Sequence, residues 1–252
     1  MTSDNSPDRA YVWIWLPGAT QPIVAGALTR DGNRFIFNYG RSYLEREDAI
    51  PVYEPELPLV RGAIFPASGL QQASALRDAA PDAWGRRVIL NRLMGAQGRD
   101  ADPDRLDELT YLLESGSDRI GGLDFQRSAT EYVPRESQSA SLEELMQAAS
   151  MVESGVPLTP ELEQALFYGS SLGGARPKAM IESGERKFIA KFSSSTDTYN
   201  VVKAEYIAMR LAACAGLNVA PVLLRHTAGK DVILIQRFDR IQSHAGWQRR
   251  LM

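Results

Sequence analysis

The chain has 252 residues, 44% of them hydrophobic and 23% charged, enough apolar material for a substantial core in one large or two small domains. Its formal net charge of -3 gives no overall attraction to nucleic acid or to anionic membrane, so direct DNA binding is disfavoured. A lone cysteine, Cys214, and only two histidines, His226 and His244, exclude an intramolecular disulfide and leave little for a Cys/His metal centre or a histidine triad.

The N-terminus, MTSDNSPDRA, lacks a basic region followed by an apolar run, and no segment reaches the roughly 18 apolar residues of a membrane span. A cytoplasmic location is expected. Tyr11 to Leu16, Ile23 to Leu28 and Arg34 to Tyr39 are short runs rich in β-branched and aromatic residues. Pro17-Gly18 and Asp31-Gly32-Asn33 break them, which predicts an antiparallel meander. Between Tyr43 and Pro66 four prolines, Pro51, Pro55, Pro58 and Pro66, predict irregular chain or edge strands.

A helix is predicted from Ala83 to Met94, entered by Pro81-Asp82 and stopped by Gly95. Trp84, Val88, Ile89 and Leu93 would share its apolar face, with Arg86, Arg87 and Arg92 as a solvated basic face. A second helix is predicted from Asp104 to Glu114. SGSDRIGGLDFQ then reads as turn and strand, and Glu131 to Ala140, containing Pro134, as a link. Helices follow at Leu142 to Glu153 and Pro160 to Phe167. The first is capped by Ser141 with Glu144 three positions on, a capping-box pattern.

The stretch from Tyr168 to Leu211 carries the chemistry. It has a small-residue turn (Gly169, Ser170, Ser171, Gly173, Gly174), an apolar strand with one lysine (Phe188, Ile189, Ala190, Lys191, Phe192), and a helix with an early glutamate, Glu205. Small residues let backbone N–H groups approach phosphate oxygens, and a lysine adds a point charge that a helix glutamate can hold. This order is that of protein kinases, and neither GxxxxGK[ST] nor GxGxxG occurs. Taken singly, such a turn is more often just a hairpin and such a lysine usually a solvated strand residue. The helix from about Asn200 to Ala215 carries a wide apolar stripe (Val202, Tyr206, Met209, Ala213, with Ile207 and Leu211 beside it), predicting burial on a sheet with Cys214 as a buried thiol. Val222 to Arg225 and Asp231 to Gln236 read as strands, His226 as a loop residue, and the last residues as chain without a clear element.

Several phrases together resemble the HipA family of bacterial serine/threonine protein kinases, the toxins of HipA/HipB-type toxin-antitoxin pairs. They are DAWGRRVI (82 to 89), DRIGGLDF (118 to 125), SLGGARPKAMI (171 to 181), FIAKFS (188 to 193), KAEYIAMRLAACAGLNVAPV (203 to 222) and IQRFDR (235 to 240). The resemblance implies an α+β fold: an N-terminal β-rich subdomain, residues 1–130, then a protein-kinase-like N-lobe, residues 131–252, with the C-lobe absent. By motif position Gly173, Gly174, Ala175, Arg176, Pro177 and Lys178 look like the ATP loop, Lys191 the phosphate-contacting lysine and Glu205 its helix partner. Gln236, Arg237 and Phe238 would be the hinge whose backbone bonds adenine. Ser171 matches a loop serine that family members autophosphorylate, which would add negative charge beside the phosphates, and is equally a turn-forming serine.

In this family the catalytic aspartate and the Mg²⁺ ligands lie in the C-lobe, so the resemblance implies ATP binding, no catalytic or metal-binding residue in this chain, and little phosphotransfer by the chain alone. Asp239, in the RFDR phrase, is not expected to be the catalytic aspartate. Phe238 and Trp247 are expected to be exposed or self-associated. The implied partners are a HipB-like antitoxin, through which any DNA contact would run, a C-lobe fragment, and a protein substrate, a tRNA synthetase being one candidate. The competing reading is a non-catalytic nucleotide- or antitoxin-binding module, against which stands the retention of both the lysine and the glycine-rich turn.

Overall fold

The Asp31-Gly32-Asn33 signal makes a hairpin. Asp31 pairs with Arg34 across a two-residue loop in which Gly32 has φ +59°, a left-handed conformation that glycine adopts at no steric cost. The computed structural model describes residues 7–94, 102–135, 140–167, 172, 174–194 and 197–250. Strands β1 (Arg9–Ile14), β2 (Ile23–Asp31) and β3 (Arg34–Tyr39) form the expected meander, and β4 (Leu123–Gln126) joins its far edge to give the antiparallel order β3-β2-β1-β4. Alternation puts Phe35, Phe37 and Tyr39 in the core with Val12, Ile14 and Leu28.

The proline-rich stretch is mostly irregular, flanked by the short helices α1 (Arg41–Leu44) and α2 (Ser74–Asp78). Two stacked tyrosines satisfy its backbone: the Tyr39 hydroxyl donates to Leu57 O and accepts from Val52 N, and the Tyr43 hydroxyl donates to Ile50 O.

Helix α3 (Ala83–Met94) has the predicted bounds, but not the predicted faces. Leu93 is exposed because, nine positions on from Trp84, it lies on the opposite side of the helix. The basic side chains are not a solvated face either. Arg86 pairs with Glu108 and Arg92 with Glu114, leaving Arg87 exposed. Those glutamates lie on α4 (Glu108–Glu114), which is shorter than expected because two aspartates cap separate turns. Asp102 accepts from Asp104 N to cap a 3₁₀ turn at Pro103–Arg105, and Asp107 accepts from Thr110 N to start α4.

Strands β5 (Lys178–Ser183), β6 (Arg186–Phe192), β7 (Val222–Thr227) and β8 (Lys230–Gln236) form a second antiparallel sheet in the order β5-β6-β8-β7. His226 is therefore a strand residue, facing Asp231 at 3.0 Å across the β7–β8 turn. On one face Ala179, Phe188, Ala190, Phe192, Val232 and Leu234 pack against α5 (Leu142–Glu153) and α6 (Pro160–Phe167), and also against Trp84 and Val88 of α3. Helix α3 thus joins the second core, across the division expected at residue 130. The capping box on α5 is present in full. Ser141→Ala is expected to cost about 1 kcal/mol in urea unfolding, the typical value of an N-cap.

The other face carries α7 (Val201–Cys214) over a small core of Val202, Val222 and Ile233, with Tyr206 and Met209 at its edge. Only part of the expected burial of the wide α7 stripe occurs. Ile207 and Leu211 are 55% and 64% exposed and Cys214 is exposed. These three share a second stripe about 140° round from the Val202-Tyr206-Met209 seam, and the narrow sheet covers only the seam. Beyond β8 the chain forms a hairpin of β9 (Arg240–Ser243) and β10 (Gly246–Arg249), which no sequence signal indicated.

Candidate functional site

The β5–β6 register sets Lys178 directly opposite Lys191, so the two side chains rise from the same face of the sheet. Met180, Ile189, Ile233 and Ile235 belong to that face by the same register. Helix α7 covers its β7–β8 half, and Met180 and Ile189 stay only half-buried beside the lysines.

Asn200 caps α7 by accepting from Lys203 N, and Glu205 stands just inside the helix. Its Oε1 meets Lys191 Nζ at 2.6 Å, with both side chains 29% exposed. Lys178 has no such partner. Its ammonium is buried and makes no hydrogen bond with any described residue. Burial, and then the like charge of Lys191, push its pKa from 10.5 down to about 8 against the opposing pull of Asp82 and Glu205. Gly174, at φ +97°, lies over it so closely that a Cβ there would sit 3.0 Å from Nζ.

The other predicted loop residues have different placements. Ala175 is exposed, Arg176 pairs with Asp197, and the Pro177 carbonyl accepts from Phe192 N. Ser171 and Gly173 lie outside the described residues. Two residues that sequence reasoning did not assign to the loop hold it: Asp82 accepts from Gly174 N and Trp84 N donates to Gly174 O, while the Trp84 indole donates to Lys178 O. They sit in a motif that otherwise reads only as the entry and apolar face of α3.

Two backbone amides of the expected hinge bond within the protein. Gln236 N donates to Pro221 O and Arg237 N to Lys187 O, so both amides are engaged within the protein. Arg237 turns a fully buried side chain into an ionic junction with the first sheet. Its guanidinium donates to Arg119 O and both oxygens of Asp239, and lies 3.1 Å from Asp118. Arg240 reaches Asp118, Asp239 and Gly121 O, and Lys187 pairs with Asp118 at 3.0 Å. Asp239 also accepts from Gly121 N, which makes it a structural carboxylate.

Burial alone would raise the Asp118 pKa, but Arg237, Arg240 and Lys187 hold it well below the usual carboxylate range. Of the two aromatics expected at the surface, Phe238 is 60% exposed, whereas Trp247 is half-buried because Lys187 packs over its ring. Among the described residues no helix is long and apolar enough to cross a membrane, and no cluster of three or more His, Cys, Asp or Glu side chains is arranged to hold a metal ion.

Comparison with known proteins gives two family matches, the HipA N-terminal domain over residues 15–126 and the HipA-like C-terminal domain over residues 170–252. No curated protein matches the chain. A solved structure of the Shewanella oneidensis MR-1 toxin-antitoxin system, HipA with HipB and operator DNA, is similar in fold, with a TM-score of 0.52 at 19% identity. The match covers 96% of this chain and 54% of that one, so the chain spans about half the length of the solved protein.

Proposed function

Because the chain belongs to the HipA family, we propose that it is the nucleotide-binding part of a HipA-type serine/threonine protein kinase, the toxin of a toxin-antitoxin pair. The observation that carries this reading is the buried Lys178 ammonium, which makes no hydrogen bond with any described residue, beside the Lys191–Glu205 pair. A buried cation without a partner is costly, and the phosphates of ATP are anions that would offset that cost. The residues present fit such a group.

ATP would supply the phosphoryl group for transfer to a Ser or Thr hydroxyl. Lys178 and Lys191 would hold its phosphates, and Glu205 would aim the Lys191 ammonium. Half-buried Met180 and Ile189 offer an apolar surface to the base. Mg²⁺ would neutralise charge on the phosphates. The metal ligands and the group that orients the acceptor hydroxyl are proposed to come from a C-lobe. By analogy with the solved complex, the proposed partner is a HipB-like antitoxin, with DNA reached only through it.

Titration of the chain with ATP tests the reading. Lys191→Ala is expected to weaken ATP binding by about tenfold or more, the effect of losing one charge-assisted contact. Glu205→Ala should weaken it less, because the ammonium remains. A pair this exposed contributes only about 0–1 kcal/mol to stability, so the urea midpoint of either variant should stay near the parent value. Unaltered ATP binding in Lys191→Ala would mean that this stretch is not a nucleotide site.

A further inference from the structure

We infer that Asp82 is a positioning residue for the phosphate loop: it and Trp84 clamp Gly174 in place over Lys178. The inference rests on the nucleotide reading of the site and extends it to residues at the start of α3, which that reading leaves unused. Gly174 has one backbone donor and one acceptor, and both are taken by this single short segment. Its N–H donates to Asp82 Oδ2, and its C=O accepts from Trp84 N at 3.2 Å. Four residues later the loop enters β5, where the Lys178 carbonyl accepts from the Trp84 indole at 3.1 Å. Gly174 and Lys178 are therefore both held from one element, whose Trp84 is itself buried in the second core.

The anchor matters because of what lies beneath. Lys178 Nζ is buried and makes no hydrogen bond with any described residue, and Gly174 is its roof. Where Gly174 sits decides how a phosphate oxygen reaches that ammonium. Gly174 has no side chain of its own to pack, and a charge-assisted hydrogen bond to a carboxylate is the strongest tether its backbone can make. The Asp82 carboxylate has a second effect through space. The charged groups facing Lys178 are Lys191 on β6, Glu205 on α7 and Asp82 at the α3 entrance, and of these Asp82 and Glu205 favour the protonated ammonium.

Two substitutions separate the tether from the charge, with binding of ATP and of adenosine measured by calorimetry on the full chain. Asp82→Ala is expected to weaken ATP about tenfold and to leave adenosine unchanged, because adenosine lacks the phosphates. Amide exchange at Gly174 in the ligand-free variant should speed up about tenfold or more once its acceptor is gone. Asp82→Asn keeps an acceptor oxygen without the charge. Near neutral pH it should restore most of the ATP affinity, and the loss of affinity with rising pH should begin below the parent midpoint near 8.

Parent-like ATP binding in Asp82→Ala, alongside a clear loss in Lys191→Ala, would overturn the inference while leaving the nucleotide reading standing. A parent chain that binds no ATP would defeat that reading and the positioning role with it. Unchanged Gly174 exchange in Asp82→Ala would by itself remove the clamp.

Discussion

Asp118→Ala is expected to destabilise the chain by about 3–5 kcal/mol, the cost of removing one partner from a buried ionic cluster. That is a large share of a typical domain stability of about 5–15 kcal/mol. The carboxylate lies between Arg237, Arg240 and Lys187, and the two guanidinium groups are almost wholly buried. Without Asp118, Asp239 alone would face both arginines. The junction also joins the two sheets, so its loss should loosen the hairpin of β9 and β10 along with the first sheet.

The pH dependence has a definite sign. The folded pKa of Asp118 is depressed, so its contribution is fully present above the unfolded carboxylate value near 4 and is lost as pH falls below it. Urea midpoints measured from pH 7 down to pH 3 should fall below about pH 4 in the parent. In Asp118→Asn they should start low and fall less. Equal slopes in parent and variant would show that Asp118 does not anchor the junction.

Lys178→Met should do the reverse, raising stability while removing function. The substitution replaces a buried ammonium that makes no hydrogen bond with any described residue by an apolar chain of similar length, a change that stabilises by about 1–3 kcal/mol where the shape is kept. ATP affinity should fall by about tenfold or more, because the cation under Gly174 is gone.

A pH signature accompanies this. In the folded parent Lys178 loses its proton near 8, chiefly through burial, but unfolded it keeps it to about 10.5. Across that window the unfolded chain binds more protons, so this residue makes stability rise with pH, and Lys178→Met should abolish the rise. A variant less stable than the parent would mean that the ammonium has a partner after all.

The features legible in the sequence are the local ones. Alternation over Arg34–Tyr39 and Arg186–Phe192 records a pleated strand with one buried face, the Asp31-Gly32-Asn33 turn records its hairpin, and Ser141 with Glu144 records a helix start. Each acts within a few residues, where backbone geometry leaves few choices. Lys191 and Glu205 could be paired in advance for a similar reason, as one short crossing joins their strand and helix.

Only the tertiary structure decided the rest. Which stripe of α7 is buried depends on the width of the sheet beneath it, so Cys214 and Leu211 stay outside despite their helical spacing from Ile207. Arg86 and Arg92 read as solvated until α4 brings Glu108 and Glu114 to them. The Asp82 contact with Gly174 spans 92 residues, and that of Arg237 with Asp118 spans 119. Periodicity carries no record of such pairs, because a charge meets its partner only where two separately folded faces are brought together.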